Sequence, residues 1–263
     1  MTTLEAILLG VVQGLTEFFP VSSSGHLVLA EALIGVNPPG VSFEVLVHFA
    51  TVVSVLVVYR RRLLTLAIGA VRRDPAALRY IGLLAVATVP AAAVGTTLAD
   101  AVARTFDRPM LVALNLLVTG VVVYATRWLV RRGASLDPGW LGAIVVGLAQ
   151  AAALLPGLSR SGFTVAAALW HRTGREAAAE FSFLLSIPAI IGASIFQFPH
   201  LAADGAAAAP QMAAAAVAAF LAGLLAIVLF VRWLRAGRFH RIAYYCWAVG
   251  GTYIVYVLLT GAR

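Results

Sequence analysis

The sequence predicts an all-α polytopic membrane protein: six transmembrane helices, two re-entrant helical hairpins and an inverted internal repeat. Three observations predict it. The 263 residues are 62% hydrophobic and only 11% charged, whereas a soluble domain carries about 25% charged residues. Several apolar stretches reach the roughly 20 residues that a helix needs to cross a ~30 Å hydrocarbon core. Two further apolar regions are interrupted at their centres by runs rich in Pro, Ser and Gly.

The first interrupted region, 4–36, contains Gln13, Glu17, Pro20, Ser22, Ser23, Ser24, Gly25 and His26. It reads as two half-helices joined by a polar turn, since non-helical backbone at membrane depth is tolerated where protein or water surrounds it. Spans at 42–60, 79–98 and 109–129 follow. The second interrupted region, 140–171, contains Pro156, Gly157, Ser159, Arg160, Ser161, Gly162 and Thr164 and reads the same way. Spans at 176–197, 210–232 and 241–260 complete the chain. The N-terminal stretch has Glu5 and no basic cluster, so a cleaved signal peptide is not expected. The single Cys246, in an apolar run, excludes an intrachain disulfide and a cysteine metal cluster.

The net charge of +8 is carried by arginine alone, without a lysine. The arginines lie in short clusters between apolar spans, which points to membrane orientation rather than to nucleic acid. Arg60, Arg61, Arg62, Arg72, Arg73 and Arg79 share one loop, and Arg127, Arg131 and Arg132 another. Arg172 and Arg175 precede the fourth span, and Arg232, Arg235, Arg238 and Arg241 separate the last two. The loops at 99–108 and 198–209 hold only Arg104 and Arg108, against Asp100, Asp107 and Asp204. The positive-inside rule puts the first set in the cytoplasm and both termini outside.

The interrupted regions align at an offset of 137: Gly10 with Gly147, Gln13 with Gln150, Ser22 with Ser159, Ser24 with Ser161 and Gly25 with Gly162. Phe43–Leu46 resembles Phe181–Leu184 one residue further on. Halves at 1–132 and 133–263 would each hold one hairpin and three spans, and an odd number of crossings inverts the second copy. Inverted repeats with broken helices place their site at the midplane, between the repeats.

The residues of the two runs suit phosphate chemistry. Ionisable groups at membrane depth cost about 2.5–3.5 kcal/mol on insertion scales, so they mark functional sites. Gly25 and Gly162 precede new helical stretches, whose N-terminal N–H groups bind anions. The preceding serines can cap those helices or donate to phosphate oxygens. Arg160 offers a planar, permanently charged fork, or a structural ion pair. Glu17 lies four residues after Gln13, on the same helix face. It can serve as a base, as a ligand of a divalent cation with diphosphate oxygens, or as the partner of Arg160. Ser23 and His26 are both candidate nucleophiles, a serine needs a base to act, and His26 reads alternatively as a hydrogen-bonded core histidine. His48, inside the first span, is left undecided. Glu44 and Glu180 read as interfacial, and His200 and His240 as loop residues.

At these residues the chain resembles the undecaprenyl-diphosphate phosphatase family, the bacitracin-resistance type of integral membrane phosphatase. An acid or amide followed four residues later by Glu, and then Pro-Val-Ser-Ser-x-Gly-His, is matched by Gln13, Glu17 and Pro20 through His26. Pro-Gly-x-Ser-Arg-Ser-x-x-Thr is matched at Pro156, Gly157, Ser159, Arg160, Ser161 and Thr164. Gln13 takes the amide option, so a second carboxylate is missing there. The resemblance implies hydrolysis of undecaprenyl diphosphate to the monophosphate carrier used in cell-wall peptidoglycan synthesis, and with it bacitracin resistance. It also implies a divalent cation, Mg²⁺ or Ca²⁺, an outward-facing site in the bacterial cell membrane and a homodimer. Glu17 would be a catalytic or metal-binding acid, Ser23 the nucleophile, and His26 an acid/base or the alternative nucleophile. Arg160 with Ser159, Ser161 and Thr164 would hold the phosphates, joined by Gln13, Ser22, Ser24, Gly25 and Gly162. The rival class is a polyprenyl-phosphate flippase or another inverted-repeat transporter, which shares the architecture. A carrier needs anion donors but no nucleophile.

Overall fold

The computed structural model describes residues 1–34, 40–129, 135–201 and 209–260. Among them run α1 (Thr3–Phe18), α2 (Ser23–Ile34), α3 (Gly40–Val58), α4 (Arg60–Val71), α5 (Pro75–Thr97), α6 (Ala99–Phe106) and α7 (Pro109–Leu129). They continue with α8 (Gly139–Ala152), α9 (Arg160–Trp170), α10 (Arg175–Leu201), α11 (Ala209–Arg235) and α12 (Ile242–Thr260). Arg131, Arg132, Asp204 and the expected boundary between halves at 132/133 lie outside the described residues.

Both interrupted regions are broken helices. α1 and α2 have 16 and 12 residues, and α8 and α9 have 14 and 11. At 1.5 Å per residue the longest is about 24 Å, too short to cross the hydrocarbon core. α1 packs on α2, and α8 on α9.

Among the described residues, five helices are long and apolar enough to span a membrane: Pro75–Thr97, Pro109–Leu129, Arg175–Ile195, Pro210–Arg235 and Phe239–Thr260. The span expected at 42–60 differs from these. Ser42–Val58 qualifies only together with Arg60–Val71, and the two helices meet at 76° across Tyr59. The arginine-rich stretch expected as a loop is therefore helical as α4. Tertiary packing accounts for it: Leu66 is buried, and Gly69 lets α4 approach α5 so closely that a Cβ there would lie 2.5 Å from Ala77 Cβ. Asp74 ends the elbow by capping α5, accepting from the Ala76 and Ala77 N–H groups at 3.3 and 3.2 Å ahead of Pro75 at the first helical position. The 99–108 connection is also helical as α6, with Asp100 in its first turn and Arg104 in its last, complementing the helix dipole.

The packing crosses between the two halves of the chain. α1 lies against α11 and α8 against α5; α3 contacts α10 and α11, α5 contacts α10, and α7 lies along α12. Glycines bring several of these backbones into close contact, Gly10 and Gly147 among them. A Cβ on Gly10 would sit 2.3 Å from the Ala215 carbonyl oxygen, and one on Gly147 2.7 Å from that of Ala87. At the arginine-rich end, Arg62 reaches Glu180 at 2.8 Å, Tyr80 donates to the same carboxylate at 3.3 Å, and Arg79 pairs with Asp137. Arg235 pairs with Glu176 at 2.6 Å. Glu180, expected as a plain interfacial residue, thus ties α10 to α4 and α5.

Candidate active site

The site forms where the two helix breaks meet. Ser22 adopts a left-handed conformation, with φ +66°, uncommon for a residue with a Cβ. That conformation turns its Oγ back to accept the Gly25 N–H at 3.3 Å and the Gly157 N–H of the other break at 3.0 Å. Ser159 repeats the capping part: its Oγ accepts the Gly162 N–H at 3.2 Å and so starts α9. The glycines face the opposite break. A Cβ on Gly25 would lie 3.2 Å from Gly157 Cα, and one on Gly162 3.1 Å from Pro20 Cβ. Gly157 has φ +89°, and a Cβ on it would strike the Val112 carbonyl oxygen at 2.2 Å. α7 holds this second break: Asn115 Nδ2 donates to the Pro156 carbonyl at 2.7 Å and Thr119 Oγ1 to that of Gly157 at 2.8 Å. Thr119 also accepts the Ser159 N–H at 3.0 Å.

Glu17, 8% exposed, is the centre of the polar cluster. Its Oε1 accepts from Arg160 Nη2. Its Oε2 accepts from Ser23 Oγ at 2.7 Å and from Gln13 Nε2 at 3.0 Å. His48 Nε2, on α3, stands 3.7 Å from the same oxygen, while its Nδ1–H donates to the Glu44 carbonyl at 2.7 Å. At the 137-residue offset, Ser23 falls on Arg160. Positions 137 residues apart in the two breaks thus deliver a hydroxyl to one oxygen of Glu17 and a guanidinium to the other. Behind Arg160, its Nη1 donates to the Ser182 carbonyl at 3.4 Å, and Thr164 Oγ1 bonds the Arg160 carbonyl at 2.7 Å and the Ser182 hydroxyl at 2.6 Å.

Gln13, Glu17, Ser23 and Arg160 are therefore brought together. Ser22, Gly25, Ser159, Ser161, Gly162 and Thr164 form the frame of the breaks. Their groups are occupied by protein partners, Ser161 Oγ donating to the Phe19 carbonyl at 3.1 Å. Ser24 Oγ lies 3.4 Å from that of Ser22. His26 turns away toward α12: its Nδ1 meets the Ser22 carbonyl at 2.9 Å and its Nε2 the Tyr245 hydroxyl at 2.9 Å. Sequence reasoning did not single out Asn115, Thr119, Ser182 or Tyr245. A polar Asn inside an apolar span was the available signal for Asn115.

The family profile described as bacitracin resistance protein BacA matches residues 6–252 of the chain. The chain belongs to the BacA family. It is 41% identical to an undecaprenyl-diphosphatase of Syntrophotalea carbinolica over 96% of this chain and 98% of that protein. It is 40% identical to an undecaprenyl-diphosphatase of Desulforudis audaxviator over 99% of this chain and all of that protein. It is 38% identical to undecaprenyl-diphosphatase 1 of Shouchella clausii over 95% and 94% of the two chains. Both motifs of this BacA-family protein lie in the matched region, and its apolar helices make it a multi-pass membrane protein.

The cluster also fits a divalent cation. Gln13 Oε1 is a buried acceptor with no donor among the described residues, and it belongs to the amide that donates to Glu17. A hard cation takes oxygen ligands of this kind. Among the described residues no group of three or more His, Cys, Asp or Glu side chains converges, so Glu17 and Gln13 would share such an ion with substrate phosphate oxygens.

Proposed function

We propose that this protein is an undecaprenyl-diphosphatase, hydrolysing undecaprenyl diphosphate to undecaprenyl phosphate and phosphate and so recycling the lipid carrier of peptidoglycan synthesis. The observation that carries the chemistry is the Ser23 hydroxyl on one oxygen of a buried carboxylate whose other oxygen binds Arg160. A lipid carrier has no use for a serine paired with a base. The relatives' name supplies the lipid.

In this reading Glu17 takes the Ser23 proton as Oγ attacks the terminal phosphorus. The bond from phosphorus to the bridging oxygen breaks, and undecaprenyl phosphate leaves. Water then attacks the phosphoserine, the P–Oγ bond breaks, the proton held by Glu17 returns to Oγ, and the phosphate departs carrying the water's oxygen and its protons. Arg160 turns its fork from Glu17 to the phosphoryl oxygens, where charge concentrates in the transition state. A bound Mg²⁺ or Ca²⁺ supplies further positive charge to the diphosphate. Glu17 and Gln13 Oε1 would hold it.

The finer architecture belongs to the same proposal. Six spans result if α3 and α4 count as one crossing. The inverted repeat is supported by the exchanged packing of α1 on α11 and α8 on α5, and by the reciprocal approach of each break's glycine to the other break. An outward site with both termini outside is supported by the gathering of the arginine clusters at one set of helix ends, where the exposed Trp128, Trp140, Trp170 and Trp233 mark the membrane interface. The implied homodimer is checked by the mass of the protein in detergent.

Phosphate release from a polyprenyl diphosphate by purified protein, with and without chelator, tests the proposal. Ser23→Ala should lower turnover by at least about 10³-fold. An acid-stable phosphoryl label retained on Ser23 after quenching supports the serine route. Undiminished turnover by the alanine variant refutes it.

A further inference from the structure

His26 and Tyr245 are 219 residues apart in sequence and share a hydrogen bond of 2.9 Å. Their rings lie nearly parallel, at 10° with centroids 5.5 Å apart. The bonding around the imidazole fixes who donates. Nδ1 faces the Ser22 carbonyl at 2.9 Å, and a carbonyl only accepts, so Nδ1 carries the hydrogen. In the neutral ring Nε2 is then an acceptor, and the Tyr245 hydroxyl must be its donor. The same Ser22 carbonyl also accepts the His26 backbone N–H at 3.1 Å. Ser22 is the strained residue whose Oγ bonds both Gly25 and Gly157, and the next residue is Ser23, whose hydroxyl meets Glu17.

We infer that Tyr245 is a positioning residue: its hydroxyl fills His26 Nε2 and turns the imidazole into a brace from α12 to the Ser22 turn that aims Ser23 at Glu17. The inference rests on Ser23 as the attacking group. It assigns His26 a role as the brace's middle link rather than as the phosphate acceptor, because the one lone pair that could attack is occupied.

Three measurements test it. Nitrogen NMR of histidine-labelled wild-type protein should give His26 as the Nδ1–H tautomer; the Nε2–H tautomer overturns the assignment. Carbethoxylation by diethyl pyrocarbonate, located by mass spectrometry, should be several-fold faster at His26 in Tyr245→Phe than in wild type, with His48 unchanged as the internal standard. Diethyl pyrocarbonate is small and uncharged, and Tyr245 is 48% exposed at the protein surface. Turnover of polyprenyl diphosphate by Tyr245→Phe should fall about three- to tenfold with KM within about twofold, the size of one neutral hydrogen bond. Equal His26 acylation rates in the two proteins, or an acid-labile phosphoryl label on His26 of the wild type, overturns the inference. The spectroscopic and acylation readouts need no turnover. A wild-type protein that hydrolyses no polyprenyl diphosphate therefore sinks the phosphatase reading while leaving the brace standing on its own result.

Discussion

Glu17 has its charge held by Arg160 on one oxygen and by Ser23 and Gln13 on the other, in a position almost closed to solvent. Removing one partner of such a pair leaves an uncompensated buried charge, at a cost of about 3–5 kcal/mol. Arg160→Ala should therefore lower both the thermal stability in detergent and the turnover, the latter by about 10²–10³-fold for a lost transition-state donor. Adding Glu17→Gln to Arg160→Ala should restore much of the stability and none of the activity. Arg160→Lys should keep most of the stability and lose much of the activity, since a point charge cannot replace a planar fork. An Arg160→Ala protein that melts like wild type and turns over normally contradicts both the ion pair and the phosphate clamp. The residues of this cluster were legible because they are polar where everything around them is apolar. Their pairing was only partly so. Glu17 with Arg160 was one of several readings, and His48 was undecided, because which distant helix supplies a third neighbour is not written in local spacing. Tyr245 was invisible for the same reason: an aromatic near a helix end has an ordinary explanation in any membrane protein.

The elements show the same division. The two breaks were readable from Pro, Ser and Gly, because these residues cluster there and a serine at each break caps the next helix. The elbow at Tyr59 was not, because Arg60, Arg61 and Arg62 give the signature of a loop while the helix they begin is held by Leu66 and Gly69 against α5. Helix crossings at this scale depend on glycine where backbones touch. Gly10 meets Ala215 and Gly147 meets Ala87, and in the proposed repeat these would be equivalent crossings. Gly10→Ala and Gly147→Ala should each destabilise the protein by about 1–3 kcal/mol through overpacking, read as a lower midpoint of thermal unfolding in detergent. Gly192→Ala and Gly251→Ala, where nothing lies within 4 Å of a new Cβ, should raise the midpoint slightly, because alanine favours a helix over glycine by about 0.5–1 kcal/mol. Loss at only one of the paired positions would argue that the two crossings are not equivalent.

For the whole molecule, the arrangement of charge relative to the membrane decides which compartment the site serves. The arginines at Arg60–Arg62, Arg127, Arg172, Arg175, Arg232 and Arg235 gather at one set of helix ends, where Arg62, Arg79 and Arg235 also find their acidic partners. α6 lies at the opposite end of α5, after that helix has crossed from Pro75 to Thr97. In the proposed orientation, which follows the positive-inside rule, the α6 end is extracytoplasmic. Single cysteines test this directly in a Cys246→Ser background, and the native thiol is fully buried in any case. Ala101→Cys on the exposed face of α6 should react with a membrane-impermeant maleimide in intact cells. Ala67→Cys on α4 and Ala236→Cys after α11, both exposed, should react only after the membrane is opened. The reverse pattern refutes the orientation. Ser24→Cys carries the test to the site itself: it stands beside Ser22 at the first break and is only half-buried. Labelling there from outside, slowed by a polyprenyl diphosphate, is expected of an enzyme whose lipid arrives in the outer leaflet. Labelling there only from inside would place the phosphate site toward the cytoplasm and remove the basis for an outward-facing phosphatase.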